Sequence, residues 1–454
     1  MHVVSATLGL CLATQGLFAQ TGWTVKPEWV RAHEEFLASD VMAGRGSATR
    51  DEQIAATYVA SEFMGYGLKF APGMTGYLQS AEVVSPVLDG HATLHVGSAT
   101  LSEGAGVLLL SSSGVDVQAK LRKVDAAEIA KAGDLKGAAV LLTGKTTLAA
   151  ARTARRAGAA LVLLPRNAEI DHMVEATGGK TQIGIRLKTG LPGSRTLVAV
   201  DSQAATSLAA QEDGAVVELR VHELPQPPRS TYNAIGYLPG SDPKAGTILL
   251  TAHLDHLGIG PAVNGDTIYN GANDDAAGTT AVLELAHALA AGPQLKRSVL
   301  FVCYGSEEAG ELGSEFFGEH TPVPLKDLVA NVEFEMIGSQ DPKMPKDTLL
   351  FTGWSRSNLG PTLAAHGAKL GDDPYPDEHF FERSDNYQLA LQGVVAHTAA
   401  GYGTVPTYHQ PNDDLEHLDL PFMTAAIQSL VEPLRWLASS DFKPEWSAGG
   451  QPKR

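Results

Sequence analysis

In the second half of the chain, hydrophobic and polar positions fall into two alternating textures. Residues 247–251, 298–304, 328–334 and 393–397 are short runs with little polar interruption, which predicts strands covered on both faces. Residues 276–291 carry helical periodicity instead, and residues 421–436 predict a closing helix with Phe422, Ile427, Leu430, Val431 and Leu434 as its apolar stripe. This rhythm predicts an α/β fold: a mixed, mainly parallel sheet flanked by helices.

The first half reads differently. Residues 27–68 look largely helical, with Ile54, Ala55, Tyr58, Val59, Phe63 and Met64 at helical spacing and Gly65 as a stop. From about Val84 the texture changes to short β-like runs separated by Gly and Ser. Residues 138–142 predict a strand, 148–157 a helix ended by Gly158, and 161–164 another strand, a unit able to fold as a smaller β-rich α/β insert. Glu223-Leu-Pro-Gln-Pro-Pro-Arg229 is a proline-rich joint. The expected division is therefore 20–84 and 230–440 for the main unit, 85–222 for the insert, and a loose tail at 441–454.

Composition changes this picture in three ways. At 454 residues the chain exceeds one ordinary core, so two domains are expected. A net charge of -17 argues against a nucleic-acid partner, since phosphate binding needs a basic surface. The first nineteen residues hold no Lys, Arg, Asp or Glu, are mostly apolar, and end in Leu17-Phe18-Ala19. That predicts a secretory signal peptide, residues 1–19, and a secreted or periplasmic protein. Its removal leaves Cys303 alone, so no intramolecular disulfide is expected, and no later stretch is apolar enough to span a membrane.

The candidate chemistry lies mostly at or just beyond the predicted strands, where open α/β sheets place their sites. His253, Asp274, Glu308, Glu335 and His409 are donors suited to zinc, in an order that looks like a two-zinc hydrolase. Asp255, two residues after His253, is expected to orient that imidazole, while His256 reads as a pocket or surface residue. Asp274 reads as a carboxylate bridging two cations. Glu307 is expected to act as general base beside the ligand Glu308. Alternation puts Glu333 and Glu335 on one face, so spacing does not choose between them.

From about Tyr232 to Ser439 the chain resembles metallopeptidase family 28, whose members include secreted aminopeptidases, glutamate carboxypeptidases and the transferrin receptor. The resemblance rests on Ala252-His-Leu-Asp-His-Leu-Gly258, residues 270–278, Ser306-Glu-Glu308, Glu335-Met-Ile-Gly338, Arg383-Ser-Asp385 and Tyr408-His409. Residues 37–68, with Gly44-Arg-Gly46, resemble the family's N-terminal helical part, and the insert resembles a protease-associated domain. The resemblance implies one zinc on His253, Asp274 and Glu335, a second on Asp274, Glu308 and His409, and Glu307 as base. It also implies substrate contacts at Tyr408 and Arg383. Two positions depart from the family: Glu335 stands where Asp is usual, and Asn386 where many relatives have His. The implied function is an exported zinc aminopeptidase acting on peptides. The alternatives are a carboxypeptidase that trims acidic residues, glutaminyl cyclase chemistry, and an inactive binding homologue. Oligomeric state is not legible.

Overall fold

The computed structural model describes residues 22–453 except 98, 113, 177–180, 190–195 and 225, so the expected signal peptide lies outside the described residues. Nine strands form the main sheet. In chain order they are β1 (Leu78–Val84), β2 (Arg186–Leu187), β3 (Arg229–Leu238), β4 (Thr247–His253) and β5 (Ser298–Tyr304). They continue with β6 (Leu328–Glu335), β7 (Leu349–Phe351), β8 (Leu370–Asp372) and β9 (Ala396–Ala400). Across the sheet they run β2-β1-β3-β5-β4-β6-β9-β7-β8.

The centre, β5-β4-β6-β9, is parallel. The side β2-β1-β3-β5 is antiparallel, as is β9–β7, while β7–β8 is parallel. The sheet is therefore mixed, with parallel pairing concentrated in the middle rather than throughout. β1 and β3, which flank the long intervening segment, return beside one another and pair antiparallel.

Alternation along the central strands explains their apolar runs. Ile248, Leu250, Ala252, Phe301 and Cys303 face a core built with α1 (Pro27–Leu37), α2 (Arg50–Gly65), α3 (Ala277–Ala290) and, after α4, α5 (Leu420–Ser439). Leu249, Leu300, Val302 and Tyr304 face the opposite core, where α4 (Leu312–Glu319) contributes Phe317. Both faces are covered, as a strand without a polar side requires. Cys303 is buried in the first core, and burial pushes its thiol up, so it is inert.

Two expectations shift. The strand placed at 393–397 starts instead at Ala396 and runs to Ala400, because Gly393 turns with φ +98 before it. The tail beyond 441 is not loose. Trp446 packs on Phe381 and His397 and donates from Nε1 to the Gly393 carbonyl, while Phe442 packs on Trp436. A large aromatic with an apolar bed and a satisfied N–H anchors a terminus that composition alone leaves free.

Residues 93–220 hold the second sheet. Thr93–Val96, Ala99–Glu103, Gly106–Ser112, Val117–Asp125, Ala138–Thr143, Leu161–Pro165, Thr196–Val200 and Val216–Arg220 form a ring, closed where Thr196–Val200 pairs with Gly106–Ser112. Leu94, Leu109, Leu121, Leu141, Leu163, Val198 and Leu219 fill one side of this sheet. Val140, Leu142, Val162 and Leu164 pack on the other against Ala151, Ala154 and Ile170. Two residues of this segment return to the main sheet: β2 pairs with the end of β1 at Val83↔Leu187 and Val84↔Arg186. No described helix is long and apolar enough to cross a membrane.

Candidate metal centre

Parallel neighbours in register deliver their last residues to one edge, and that edge carries the site. His253 ends β4 and Glu335 ends β6, while the chain leaving β5 supplies Glu307 and Glu308. Asp274 sits in the turn Ala272–Ala276 leading into α3, preceded by Gly271 at φ +62; the Asp274–Asp275 peptide bond is cis. His409 comes from the loop after β9. Ser306, Met336 and His409 all adopt positive φ, a conformation non-glycine residues avoid. Such backbone clusters where surrounding structure fixes a side chain in place.

The five expected donors converge in two groups that share Asp274. His253 Nε2 lies 3.2 Å from Asp274 Oδ1 and 3.5 Å from Glu335 Oε1. His409 Nε2 lies 3.2 Å from both Asp274 Oδ2 and Glu308 Oε1. The two oxygens of one carboxylate thus face different groups. A tetrahedral ion with bonds of about 2.0–2.1 Å separates its ligand atoms by roughly 3.3 Å, which is the spacing seen.

A sharper test of fit is hydrogen bonding. His253 Nε2, Asp274 Oδ2, Glu308 Oε1 and His409 Nε2 are buried atoms with no hydrogen-bond partner. Asp274 Oδ2 and Glu308 Oε1 each lie 3.2 Å from His409 Nε2, while His253 Nε2 lies beside Asp274 Oδ1 and Glu335 Oε1; buried polar atoms without partners are costly unless something else satisfies them. A shared divalent cation fits this donor set of imidazoles and carboxylates.

Electrostatics agree with the crowding. Burial disfavours a charged His253, but the carboxylates around it, Glu335 foremost, hold its pKa well above the usual value. Burial likewise opposes ionised Asp274, yet His253 and His409 hold it well below the carboxylate range. Burial pushes Glu307 well above its ordinary value, and Glu308, Asp385 and Glu335 add repulsion against the opposing pull of His253.

The support around the donors is only partly as expected. His253 Nδ1 meets the backbone carbonyl of Asp255 at 3.1 Å, while the Asp255 carboxylate is 3.8 Å away. That carboxylate instead accepts from Ser47 Oγ and the Glu307 N–H, so it fixes the loop carrying Glu307. Glu333 and Glu335 separate clearly. Glu333 is buried and accepts from Ser384, Thr398 and the Asn386 N–H, leaving Glu335 at the donor cluster. Tyr408 stacks on His409 at 3.8 Å. Arg383 lines a pocket with Glu335, Met336, Thr352, Phe380 and Tyr408, and pairs with Glu378 at 3.5 Å.

Sequence reasoning missed four members of this support. Asp275 accepts from the N–H groups of Gly278, Met336 and His253, tying together the ends of β4 and β6 and the start of α3. Asp413 accepts from the N–H groups of Asn273 and Asp274. Arg45 is wholly buried and donates to the carbonyls of Leu37, Leu254, Asn270 and Gly271, clamping the N-terminal helices to both metal-site loops. His256 lines a cleft, as expected of a pocket residue, but its ring is buried with Nδ1 2.9 Å from Glu308 Oε1, a contact the sequence did not signal. Paired acids at 274–275 and the Gly44-Arg-Gly46 turn were the available signals; Asp413 had none.

Comparison with known proteins supports the same reading. Residues 233–432 match the model of peptidase family M28. Aminopeptidase YwaD of Bacillus subtilis is 28% identical over 295 residues, covering 63% of this chain and 59% of that protein. A probable lipoprotein aminopeptidase of Mycobacterium tuberculosis is 27% identical over 206 residues, 38% of this chain and 39% of its own length. The chain thus spans less than two thirds of these curated relatives. Among solved structures, an aminopeptidase from Aneurinibacillus sp. strain AM-1 superposes with a TM-score of 0.54 at 21% identity, covering 95% of this chain and 98% of that one. Residues 233–432, which contain every donor of the centre, are thus the stretch over which this chain is similar to peptidase family M28.

Proposed function

We propose that the protein is an exported zinc-dependent aminopeptidase that removes N-terminal residues from peptides, with two ions held by His253, Asp274 and Glu335 and by Asp274, Glu308 and His409. The observation that carries this reading is the pair of donor groups sharing Asp274, with their buried lone pairs unpartnered. Zinc held by these residues would supply polarisation of the scissile carbonyl and a lowered pKa for the attacking water. Glu307 then takes the water's proton and hands it to the departing amine. Burial raises its proton affinity above that of an ordinary carboxylate, which favours taking up the water's proton. Asp255 holds Glu307 in register through its backbone N–H.

The end of the substrate follows from charge. Arg383, which a glutamate-trimming carboxypeptidase would need free, is paired with Glu378. The sidewall pocket at Glu335 and Tyr408 is the place for the first side chain. The second sheet is read as a protease-associated-type insert that walls the approach: Gly184 and Ile185 face Gly46, His256, Gly258 and Glu308 across a cleft of about 710 Å³.

The test is a mixture of peptides with free and blocked N-termini, followed by mass spectrometry, with chelated and zinc-restored controls. Stepwise loss from free N-termini alone, abolished by chelation and restored by zinc, is expected. Loss from the C-terminus would overturn the aminopeptidase reading.

A further inference from the structure

We propose that His256 is a direct metal ligand through Nδ1, so that the group of Asp274, Glu308 and His409 has a fourth protein donor; this rests on the two-ion reading above. The imidazole is wholly buried, yet neither ring nitrogen has a hydrogen-bond partner. A buried neutral imidazole gives up hydration at both nitrogens, a cost that packing alone does not offset. Nδ1 lies 2.9 Å from Glu308 Oε1 and 3.8 Å from Asp274 Oδ2, two atoms that are themselves unpartnered. The separation to Glu308 is short enough for a hydrogen bond, but the alignment is not one.

The four contacts of Asp274 and Glu308 with His256 and His409 run from 2.9 to 3.8 Å, scattered about the roughly 3.3 Å edge of a tetrahedral zinc site. The two rings meet edge to face at 5.6 Å, converging on the same carboxylates without stacking. The backbone is built around this ring. His256 N–H donates to the Arg45 carbonyl, and Gly271 sits where a Cβ would come within 2.5 Å of the imidazole. Only glycine leaves the ring its place while holding φ +62 there.

The consequence is an asymmetric centre. His253, Asp274 and Glu335 supply three protein donors and leave a position open, the pattern of a catalytic site. Asp274, Glu308, His409 and His256 supply four, the pattern of a closed, tightly held site.

The decisive measurement uses the full protein labelled with ¹⁵N-histidine and loaded with two equivalents of ¹¹³Cd²⁺. Three imidazoles should show cadmium coupling, two through Nε2 and one through Nδ1, with the Nδ1 signal lost in His256→Asn. Coupling from only two imidazoles would overturn the proposal. Zinc competition against a chromogenic chelator gives a second readout. His256→Ala and His256→Asn should both weaken one equivalent by at least the ~10–100-fold typical of lost supporting partners, leaving the other unchanged. Asparagine can place a hydrogen-bond donor near the Nδ1 position, so wild-type affinity in His256→Asn would make His256 a positioning residue for Glu308 and refute ligation. Fewer than two ions bound by the wild-type protein would overturn the two-ion reading itself.

Discussion

Replacing Glu34 by glutamine should make the protein more stable, and increasingly so as pH rises. Glu34 lies on the buried face of α1, where Oε1 accepts from Thr280 Oγ1 at 2.9 Å and Oε2 has no partner. Burial raises its pKa from 4.5 to about 8, despite the hydrogen bond from Thr280 and the charge of Arg45. The folded protein therefore keeps this proton over a pH range in which the unfolded chain has lost it. Its stabilising contribution is complete below pH 4.5 and declines as pH rises through about 8. A tenfold change in proton affinity is worth about 1.4 kcal/mol, so the loss approaches roughly 5 kcal/mol, comparable to the whole stability of a small domain. Glutamine preserves the volume and the acceptor for Thr280 without the titration. Urea unfolding of both proteins between pH 5 and 9, with chelator present throughout, isolates this group as a difference. The variant's advantage should widen up to about pH 8 and then level off. A flat difference, or a variant that loses ground as pH rises, would show that Arg45 holds Glu34 ionised and would refute the reasoning.

Glu307→Gln should retain zinc stoichiometry and lower kcat by at least the ~10²–10⁴-fold ascribed to general-base catalysis, measured by peptide hydrolysis beside metal analysis. Near-normal turnover would remove Glu307 from the reaction. Arg45→Lys puts one ammonium where a fork reaches four carbonyls, so at least one charge-assisted bond worth about 1.5–3 kcal/mol is lost. A lower urea midpoint should report this loss. Gly278→Ala places a Cβ 2.2 Å from the Phe334 carbonyl oxygen and 2.3 Å from Asp275 Oδ2. The backbone must shift, at about 1–3 kcal/mol, and weaker zinc binding should accompany the loss of stability.

What the sequence makes legible follows from how local each signal is. The apolar runs at β4, β5 and β6 mark the sheet because strands buried on both faces cannot hide their composition. Donors at strand ends are legible for the same reason: His253 and Glu335 are each the last residue of a run. Glu333 and Glu335 could not be told apart by alternation, since their separation depends on Ser384, Asn386 and Thr398, which arrive from elsewhere in the chain. Asp413 supports Asn273 and Asp274 from about 140 residues away, and no local pattern records such a contact. His256 lines the cleft, as expected of a pocket residue, but its burial beside Glu308 was not legible. Its burial depends on Arg45 and Gly271, neither adjacent in sequence. The tail was misread because Trp446 finds its bed on Phe381 and His397.

The short strand β2 ties one wall of the cleft beside Gly46 and Glu308 to the main sheet. Gly184 and Ile185, which form the insert's side of that cleft, immediately precede Arg186 and Leu187, whose backbones pair with Val84 and Val83 of the main sheet. Lys188 adds an ion pair to Glu82 at 2.9 Å on the same edge. That wall is thus hydrogen-bonded to the sheet that carries His253 and Glu335. Excising residues 85–222 as a detachable module would remove one wall of the cleft together with the strand that caps the end of β1, leaving an exposed sheet edge.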